Sequence, residues 1–365
     1  MKPPFHARAP SFDGQAIHAT IQRALASAGL DTSSGPMRGV SETLRRALAP
    51  GPLVEAPQRP GSLAVHRFSH AAGTRAYKLH VPAVLPDGPP PLLVMLHGCT
   101  QSADDFAAGT QMNRLADAHG FLVVYPEQPA QANPSSCWNW FRPQDQVRDG
   151  GEPALIAGIV RQVAQQHGAD PRRIFVAGLS AGAAMAVVLG ETYPELFAGV
   201  GAHSGLPYAS AHDIPSALAA MKGGCSGLPG LKPRPGGAAG ASRRAVQPVP
   251  VIVFHGDRDH TVQASNGEGI VQQARNAHAA ESGGGLQVVS HTGLAPGGRR
   301  YSRTVHTDTL GRTRIEHWTV HGAGHAWSGG HASGSCTDAS GPDASAAMLR
   351  FFLALARAPI DESTS

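Results

Sequence analysis

The stretch Ile174-Phe175-Val176-Ala177-Gly178-Leu179-Ser180-Ala181-Gly182-Ala183-Ala184-Met185 constrains this chain more than any other. Four apolar residues suited to a strand run into Gly-x-Ser-x-Gly, and an Ala/Met/Val/Leu run suited to a helix follows. A strand that becomes a helix over one residue must let the two elements approach closely, and Gly178 and Gly182 supply the room. The serine between them is then held on a strained backbone, its hydroxyl raised above a sheet and its neighbours' N–H groups at a helix start. In that setting the pattern marks a nucleophile. Elsewhere it is only a glycine-rich turn.

A serine at the end of a strand needs a sheet around it. From about residue 63 the chain repeats strand, loop and helix. The spacing predicts strands at Ala64–Ser69, Arg75–Val81, Leu92–His97, Phe121–Tyr125, Ile174–Ala177, Gly199–His203, Val251–His255 and Ile315–Val320. The first two alternate and suit an antiparallel edge. Leu92–Leu96, Phe121–Val124 and Val251–Phe254 are continuously apolar, as befits parallel strands covered on both faces. Helices are predicted at Asp104–His119, Gly151–Gln166, Ala181–Thr192, Gly267–Ala280 and Ala344–Ala356. The expected fold class is therefore α/β, a three-layer sandwich with a mostly parallel central sheet and right-handed crossovers. With 365 residues, 41% of them hydrophobic, the chain can bury a large core. Its 44 glycines and 30 prolines are scattered, which suits many turns and not a helical bundle.

Residues 1–61 read differently. Asp13 can cap an amphipathic helix bearing Ile17, Ile21, Leu25 and Ala28, and a second helix is expected from Ser41 to Leu48. Two short helices cannot bury a core, so 1–61 is expected to be an extension of one domain at 62–358, with a Gly/Pro-rich loop insertion at 222–249 and a tail at 359–365. The extension could support self-association into a homodimer. Met1-Lys2-Pro3-Pro4-Phe5-His6 has no apolar core of signal-peptide length and no membrane-length apolar run occurs, so a cytoplasmic location is expected and no membrane partner; paired cysteines would instead suit a secreted or periplasmic setting. The formal charge of +4 comes partly from loop pairs such as Arg172-Arg173 and Arg299-Arg300. No basic run interleaved with aromatics is present, so no nucleic-acid partner is expected. Cys99, Cys137, Cys225 and Cys336 lack metal-site spacing. They are either free or paired in up to two disulfides, and no metal or organic cofactor is expected.

In an open parallel sheet, functional groups collect beyond the carboxyl ends of the strands. Ser180 ends one strand. Val251–Phe254 runs into His255-Gly256-Asp257-Arg258-Asp259-His260-Thr261-Val262, and the strand ending at Val320 runs into His321-Gly322-Ala323-Gly324-His325-Ala326-Trp327. Ser, Asp and His in that order, each past a strand end, is the order such a sheet requires of a triad. A serine hydroxyl is a weak nucleophile without a base, which His325 would supply, and a carboxylate would fix the imidazole tautomer. Asp259 is preferred for the carboxylate; Asp257, nearer the strand end, suits holding the turn. His325 competes with His321, His317 and His331, and the glycines at 322 and 324 favour His325. An oxyanion needs preorganised N–H donors. Ala181, after the serine, offers one, and Cys99 in His97-Gly98-Cys99-Thr100-Gln101-Ser102 offers the other. Ser102 also suits an N-cap. Trp138 and Trp140, with Phe141, concentrate aromatic residues in a chain only 5% aromatic, and with Trp327 they are candidates for an apolar wall of a substrate cleft. Glu152 suits a helix cap more than a catalytic acid.

Taken together, Leu96-His97-Gly98-Cys99-Thr100-Gln101-Ser102, Cys137-Trp138-Asn139-Trp140, Gly178-Leu179-Ser180-Ala181-Gly182, His255-Gly256-Asp257-Arg258-Asp259 with Thr261-Val262, and Gly324-His325-Ala326-Trp327 resemble the polyhydroxybutyrate depolymerase-type esterases, relatives of feruloyl and acetylxylan esterases. The resemblance covers about 62–356. It implies an α/β-hydrolase fold, Ser180 as nucleophile with Asp259 and His325 as partners, and hydrolysis of carboxylic esters through an acyl-enzyme. It also implies a Cys99–Cys137 disulfide beside the oxyanion loop; a second bridge between Cys225 and Cys336 is a weaker expectation. Secreted depolymerases of this kind carry a linker and a polymer-binding module after the catalytic domain, whereas this chain ends at Ile360-Asp361-Glu362-Ser363-Thr364-Ser365. Short polyesters, 3-hydroxybutyrate oligomers and small aryl or alkyl esters are the expected substrates. The alternatives are a feruloyl or acetylxylan-type carbohydrate esterase, an acyltransferase on the same fold, and a non-catalytic binding protein.

Overall fold

The computed structural model describes residues 63–223, 247–282 and 285–355. The helices expected within 1–61, most of the insertion and the tail at 359–365 lie outside the described residues. The strands of the main sheet are β1 (Leu63–His70), β2 (Gly73–His80), β3 (Leu92–Leu96), β4 (Leu122–Pro126), β5 (Ile174–Leu179), β6 (Gly199–His203), β7 (Val251–Gly256), β8 (Gln287–Leu294), β9 (Arg300–Thr307) and β10 (Thr313–Val320). The helices are α1 (Ala103–Thr110), α2 (Met112–His119), α3 (Gly151–His167), α4 (Ala181–Thr192), α5 (Ile214–Met221), α6 (Ser265–Ser282) and α7 (Ala344–Leu355).

The sheet runs β1-β2-β4-β3-β5-β6-β7-β10-β9-β8. Its six central strands, β4 to β10 in that order, pair in parallel, and antiparallel hairpins close both edges. The apolar runs explain this arrangement. In β3, Leu92, Val94 and Leu96 join a core shared with Ile156 and Val160 of α3 and Met185 and Leu189 of α4. Leu93 and Met95 face the other way, into a core with Phe106 of α1, Leu115 of α2 and Phe351 and Phe352 of α7. Helix α4 is buried at every position except Glu191 and Ala/Gly-rich, so it lies close against the sheet. The chain moves from β3 outward to β4, then returns to place β5 on the other side of β3. That reversal makes the carboxyl ends of β3 and β5 the switch point where open α/β sheets bind their ligands.

Four details differ from the sequence reading. The expected helix Asp104–His119 is two helices, broken at Gln111, which is left-handed at φ 53°. Gln111 accepts this without glycine because its amide N–H reaches the Ala107 carbonyl and its Nε2 donates to Ala108 O at 2.6 Å. The β8–β9 hairpin and α5 were not expected. Both are short of buried apolar surface: β8 is exposed at nearly every position, and only Ala217 and Ala220 of α5 are buried. A small parallel pair, β11 (Trp327–Ser328) with β12 (Thr337–Asp338), fixes the segment after His325. No described helix is long and apolar enough to cross a membrane.

Candidate active site

The elbow follows from close approach. Ser180 adopts φ 57°, ψ −119°, a conformation that costs a non-glycine residue about 1–3 kcal/mol and persists only where surrounding structure holds it. The hold is visible. A Cβ at Gly182 would overlap the carbonyl oxygens of Leu96 and His97, and one at Gly178 would meet the Gly182 carbonyl and Leu96 O. Strand β3, strand β5 and helix α4 therefore touch backbone to backbone. The Ser180 amide donates to His203 O at 2.9 Å, and Ser180 O accepts from Ala184 N at 2.9 Å.

Asp259, not Asp257, is the carboxylate beside His325. Its Oδ2 lies 2.7 Å from His325 Nδ1, while its Oδ1 accepts the amides of Thr261 and Val262, each at 2.9 Å. Burial pushes the Asp259 carboxyl up, but hydrogen bonds from His255 and His325 outweigh it and hold the group well below the usual carboxylate range. An ionised carboxylate only accepts, so Nδ1 of His325 carries the proton and Nε2 is left as the base. The Asp259 side chain is 0% exposed and that of His325 17%, which leaves the imidazole as the reachable member of the pair. His255 Nε2 sits 2.9 Å from Val262 O and 3.5 Å from Asp259 Oδ2, bracing the carboxylate from behind.

The third element is the loop after β3. Gln128 N donates to His97 Nε2 at 3.1 Å, so His97 Nδ1 is the protonated nitrogen and donates to Gly98 O at 2.8 Å. Burial lowers the His97 pKa and keeps the ring neutral in that tautomer. Trp138 Nε1 donates to His97 O at 3.1 Å, and Gly98 N donates to Gln101 Oε1 at 3.0 Å. With those groups committed, the N–H of Cys99 has no acceptor among the described residues. Ala181 N–H, the first of α4, has none within its helix. The disulfide Cys99–Cys137, with Cα atoms 4.2 Å apart, pins this loop to the segment carrying Trp138.

His203 joins the parts. Its carbonyl holds the Ser180 amide, its Nε2 accepts Ser328 N at 2.9 Å, and its ring stacks on Trp327 at 5.1 Å. The segment His325–Ser328 is thereby anchored beside the elbow. Burial, then repulsion from His255 and His325, pushes the His203 pKa down to about 3, so it stays a neutral acceptor. Ser180 Oγ and His325 Nε2 are not hydrogen-bonded in this structure; such bonds are often long in free enzymes and tighten with substrate. The three tryptophans do not wall a cleft. Trp138 and Trp327 are fully buried, and Trp140, packed edge-on against Phe141, is 6% exposed. A buried ring has no face to offer a substrate; Trp138 and Trp327 instead hold His97 and His203. Cys336 is exposed and pairs with no cysteine among the described residues; its expected partner Cys225 lies outside them. Among the described residues no cluster of His, Cys, Asp or Glu could hold a metal ion.

The model of the esterase PHB depolymerase family matches residues 75–285, more than half of the chain. The chain belongs to this family. Poly(3-hydroxyalkanoate) depolymerase C of Paucimonas lemoignei is 34% identical over 276 residues, covering 72% of this chain and 60% of the relative. Acetylxylan esterase A of Aspergillus oryzae is 36% identical over 143 residues, covering 38% of this chain and 45% of the relative. The chain thus spans about half to three-fifths of the length of these curated relatives. The acetyl xylan esterase structure from Aspergillus awamori superposes with a TM-score of 0.55 at 21% identity, over 72% of this chain and 94% of that one. Its likeness is one of fold, and the fold is that of the α/β hydrolases.

Within the family frame, four residues escaped the sequence reading of the site. His97 and Gln101 orient the Gly98 peptide, His203 anchors the histidine loop, and His255 braces Asp259. His203 ends β6 and His255 lies one residue before the end of β7, close to the strand-end position that singled out Ser180. Glu152 is neither a simple cap nor exposed. It is buried and accepts from Gln128 Nε2, Asn139 N and Asn139 Nδ2 at 2.5, 2.8 and 2.6 Å, locking the segment that carries Trp138.

Proposed function

We propose that this protein hydrolyses carboxylic esters through an acyl-enzyme on Ser180. The observation that carries the reading is the 2.7 Å bond from His325 Nδ1 to an ionised, buried Asp259, on a loop anchored beside the strained serine. His325 Nε2 takes the Ser180 proton as Oγ attacks the ester carbonyl. The N–H groups of Cys99 and Ala181 stabilise the oxyanion, His325 protonates the leaving alcohol, and the same imidazole then activates water.

The substrate class we infer is a short aliphatic polyester such as a 3-hydroxyalkanoate oligomer, together with small aryl and alkyl esters. The support is the longer match to the depolymerase, 72% of this chain against 38% for the acetylxylan esterase. Acetylated or feruloylated carbohydrate is the second reading, and transfer of the acyl group to an alcohol is the third. Turnover of 3-hydroxybutyrate oligomers, p-nitrophenyl esters, feruloyl esters and acetylated xylan, compared with and without an added alcohol acceptor, separates the three. Ser180→Ala is the control in each case. Oligomer turnover lost in Ser180→Ala, with aryl-ester turnover cut by at least about 10²-fold, supports the proposal; turnover near the wild-type rate in that variant sinks it.

A further inference from the structure

Asp257 and His321, passed over for the principal pair, form a second relay. His321 Nδ1 lies 2.9 Å from Asp257 Oδ2, and His321 Nε2 lies 2.9 Å from Ser302 Oγ. Asp257 Oδ1 accepts the Gly322 amide at 2.7 Å. Although burial raises the Asp257 carboxyl, the bonds from His321 and Gly322 bring it below its ordinary range, so it is ionised and only accepts. In the neutral ring the His321 proton therefore sits on Nδ1, and Ser302 then donates its hydroxyl hydrogen to Nε2. Serine to Nε2, and Nδ1 to a carboxylate, is the connectivity that activates a serine.

The surroundings suit a ligand. Ser302 lies on β9, directly across from Thr292 on β8 and Thr319 on β10, so the three side chains share one face. A cavity of about 290 Å³ opens beside them, lined by Thr292, Gly293, Leu294, Arg300, Tyr301 and His321. Gly293 makes that shape: a Cβ there would overlap the Tyr301 ring. The volume is at the lower limit for small-molecule sites and fits one short ester. His321 and Asp257 side chains are 41% and 38% exposed, so water and solute reach the relay.

We propose that Ser302, His321 and Asp257 form a second, slower acyl-accepting site for small activated aryl esters. Ser302 Oγ adds to the ester carbonyl as its proton passes to His321 Nε2. The carbonyl–oxygen bond to the aryl group breaks, the aryl oxide takes that proton, and acyl-Ser302 remains. Water activated by the same imidazole then releases the carboxylic acid and restores the serine. Ser302 lies inside a strand paired on both sides, with no elbow and no helix start to supply oxyanion donors. That lack alone places its rate at least about 10²–10³-fold below a site that has them.

The test uses the full chain carrying Ser180→Ala, with p-nitrophenyl acetate and a fluorophosphonate as probes. The proposal expects slow p-nitrophenol release and, by peptide mass, an adduct on Ser302. Both disappear when Ser302→Ala or His321→Gln is added, with the thermal midpoint unchanged. No adduct on Ser302, or residual release that Ser302→Ala leaves intact, overturns it. Labelling of Ser180 in the wild-type chain reads the principal site separately, so failure here is distinct from failure of the Ser180 reading.

Discussion

Replacing Asp259 with Asn isolates the chemistry of the triad from its packing. The two backbone amides of Thr261 and Val262 converge on Oδ1, so the asparagine oxygen must take that position. Its NH2 group then occupies the place of Oδ2, 2.7 Å from His325 Nδ1. Two donors cannot face each other at that distance, and the imidazole must move its proton to Nε2. The base is then blocked on the side that serves Ser180. Substitution of this kind in a serine triad costs about 10⁴ in kcat, which corresponds to about 5.4 kcal/mol at 1.36 kcal/mol per tenfold. The change should fall on kcat for a p-nitrophenyl ester, with KM nearly unchanged, because no binding surface is altered. Asp257→Asn touches only the outer loop bonds and should cost less than about tenfold at the principal site. The reasoning is refuted if Asp259→Asn keeps more than a tenth of wild-type kcat in a folded protein, or if Asp257→Asn is the more damaging of the two.

Three further outcomes follow from the same structure. Gly182→Ala forces a methyl group onto the Leu96 and His97 carbonyls and should lower unfolding stability by about 1–3 kcal/mol while impairing turnover; an unchanged urea midpoint and rate would contradict the close approach. Cys137→Ser opens a loop of sequence separation 38, worth up to about 4 kcal/mol by loop entropy, and frees the Cys99 peptide; urea unfolding with matched activity assays checks both. His203, held near 3, and His278 and His317, held near 4, are kept neutral chiefly by burial. Their folded values lie below the unfolded value near 6.5, so the unfolded chain binds more protons between about pH 6.5 and 4, and stability falls as pH drops through that window. Three such groups set an upper slope of about 4 kcal/mol per pH unit, and a flat urea midpoint from pH 6 to 4 would contradict their burial as neutral rings.

The parts legible in the sequence are those where one residue type is forced. Gly178 and Gly182 announced the elbow because no side chain fits there, and the unbroken apolar runs at β3, β4 and β7 announced strands buried on both faces. What stayed hidden depends on partners distant in sequence. Nothing local in Cys137-Trp138-Asn139-Trp140 tells a cleft wall from a buried prop. The answer lies in the bonds of Trp138 to His97 and of Asn139 to Glu152. The break at Gln111 carries no glycine or proline, since a side-chain amide and one backbone bond hold the left-handed turn. The β8–β9 hairpin hides because its strands bury little, although Ala295-Pro296-Gly297-Gly298 between them is a turn signal. The second relay was half visible: Asp257 and His321 stood out, but Ser302 enters only because β9 pairs beside β10.

The central claim, an acyl-enzyme on Ser180, is tested most directly by quenching the wild-type protein with acid during turnover of p-nitrophenyl butyrate and measuring peptide masses. The account predicts a butyryl group on the peptide carrying Ser180, formed within one turnover and absent from Ser180→Ala. Wild-type turnover without acyl on Ser180, in a protein whose Ser180→Ala variant hydrolyses the ester equally well, would contradict it.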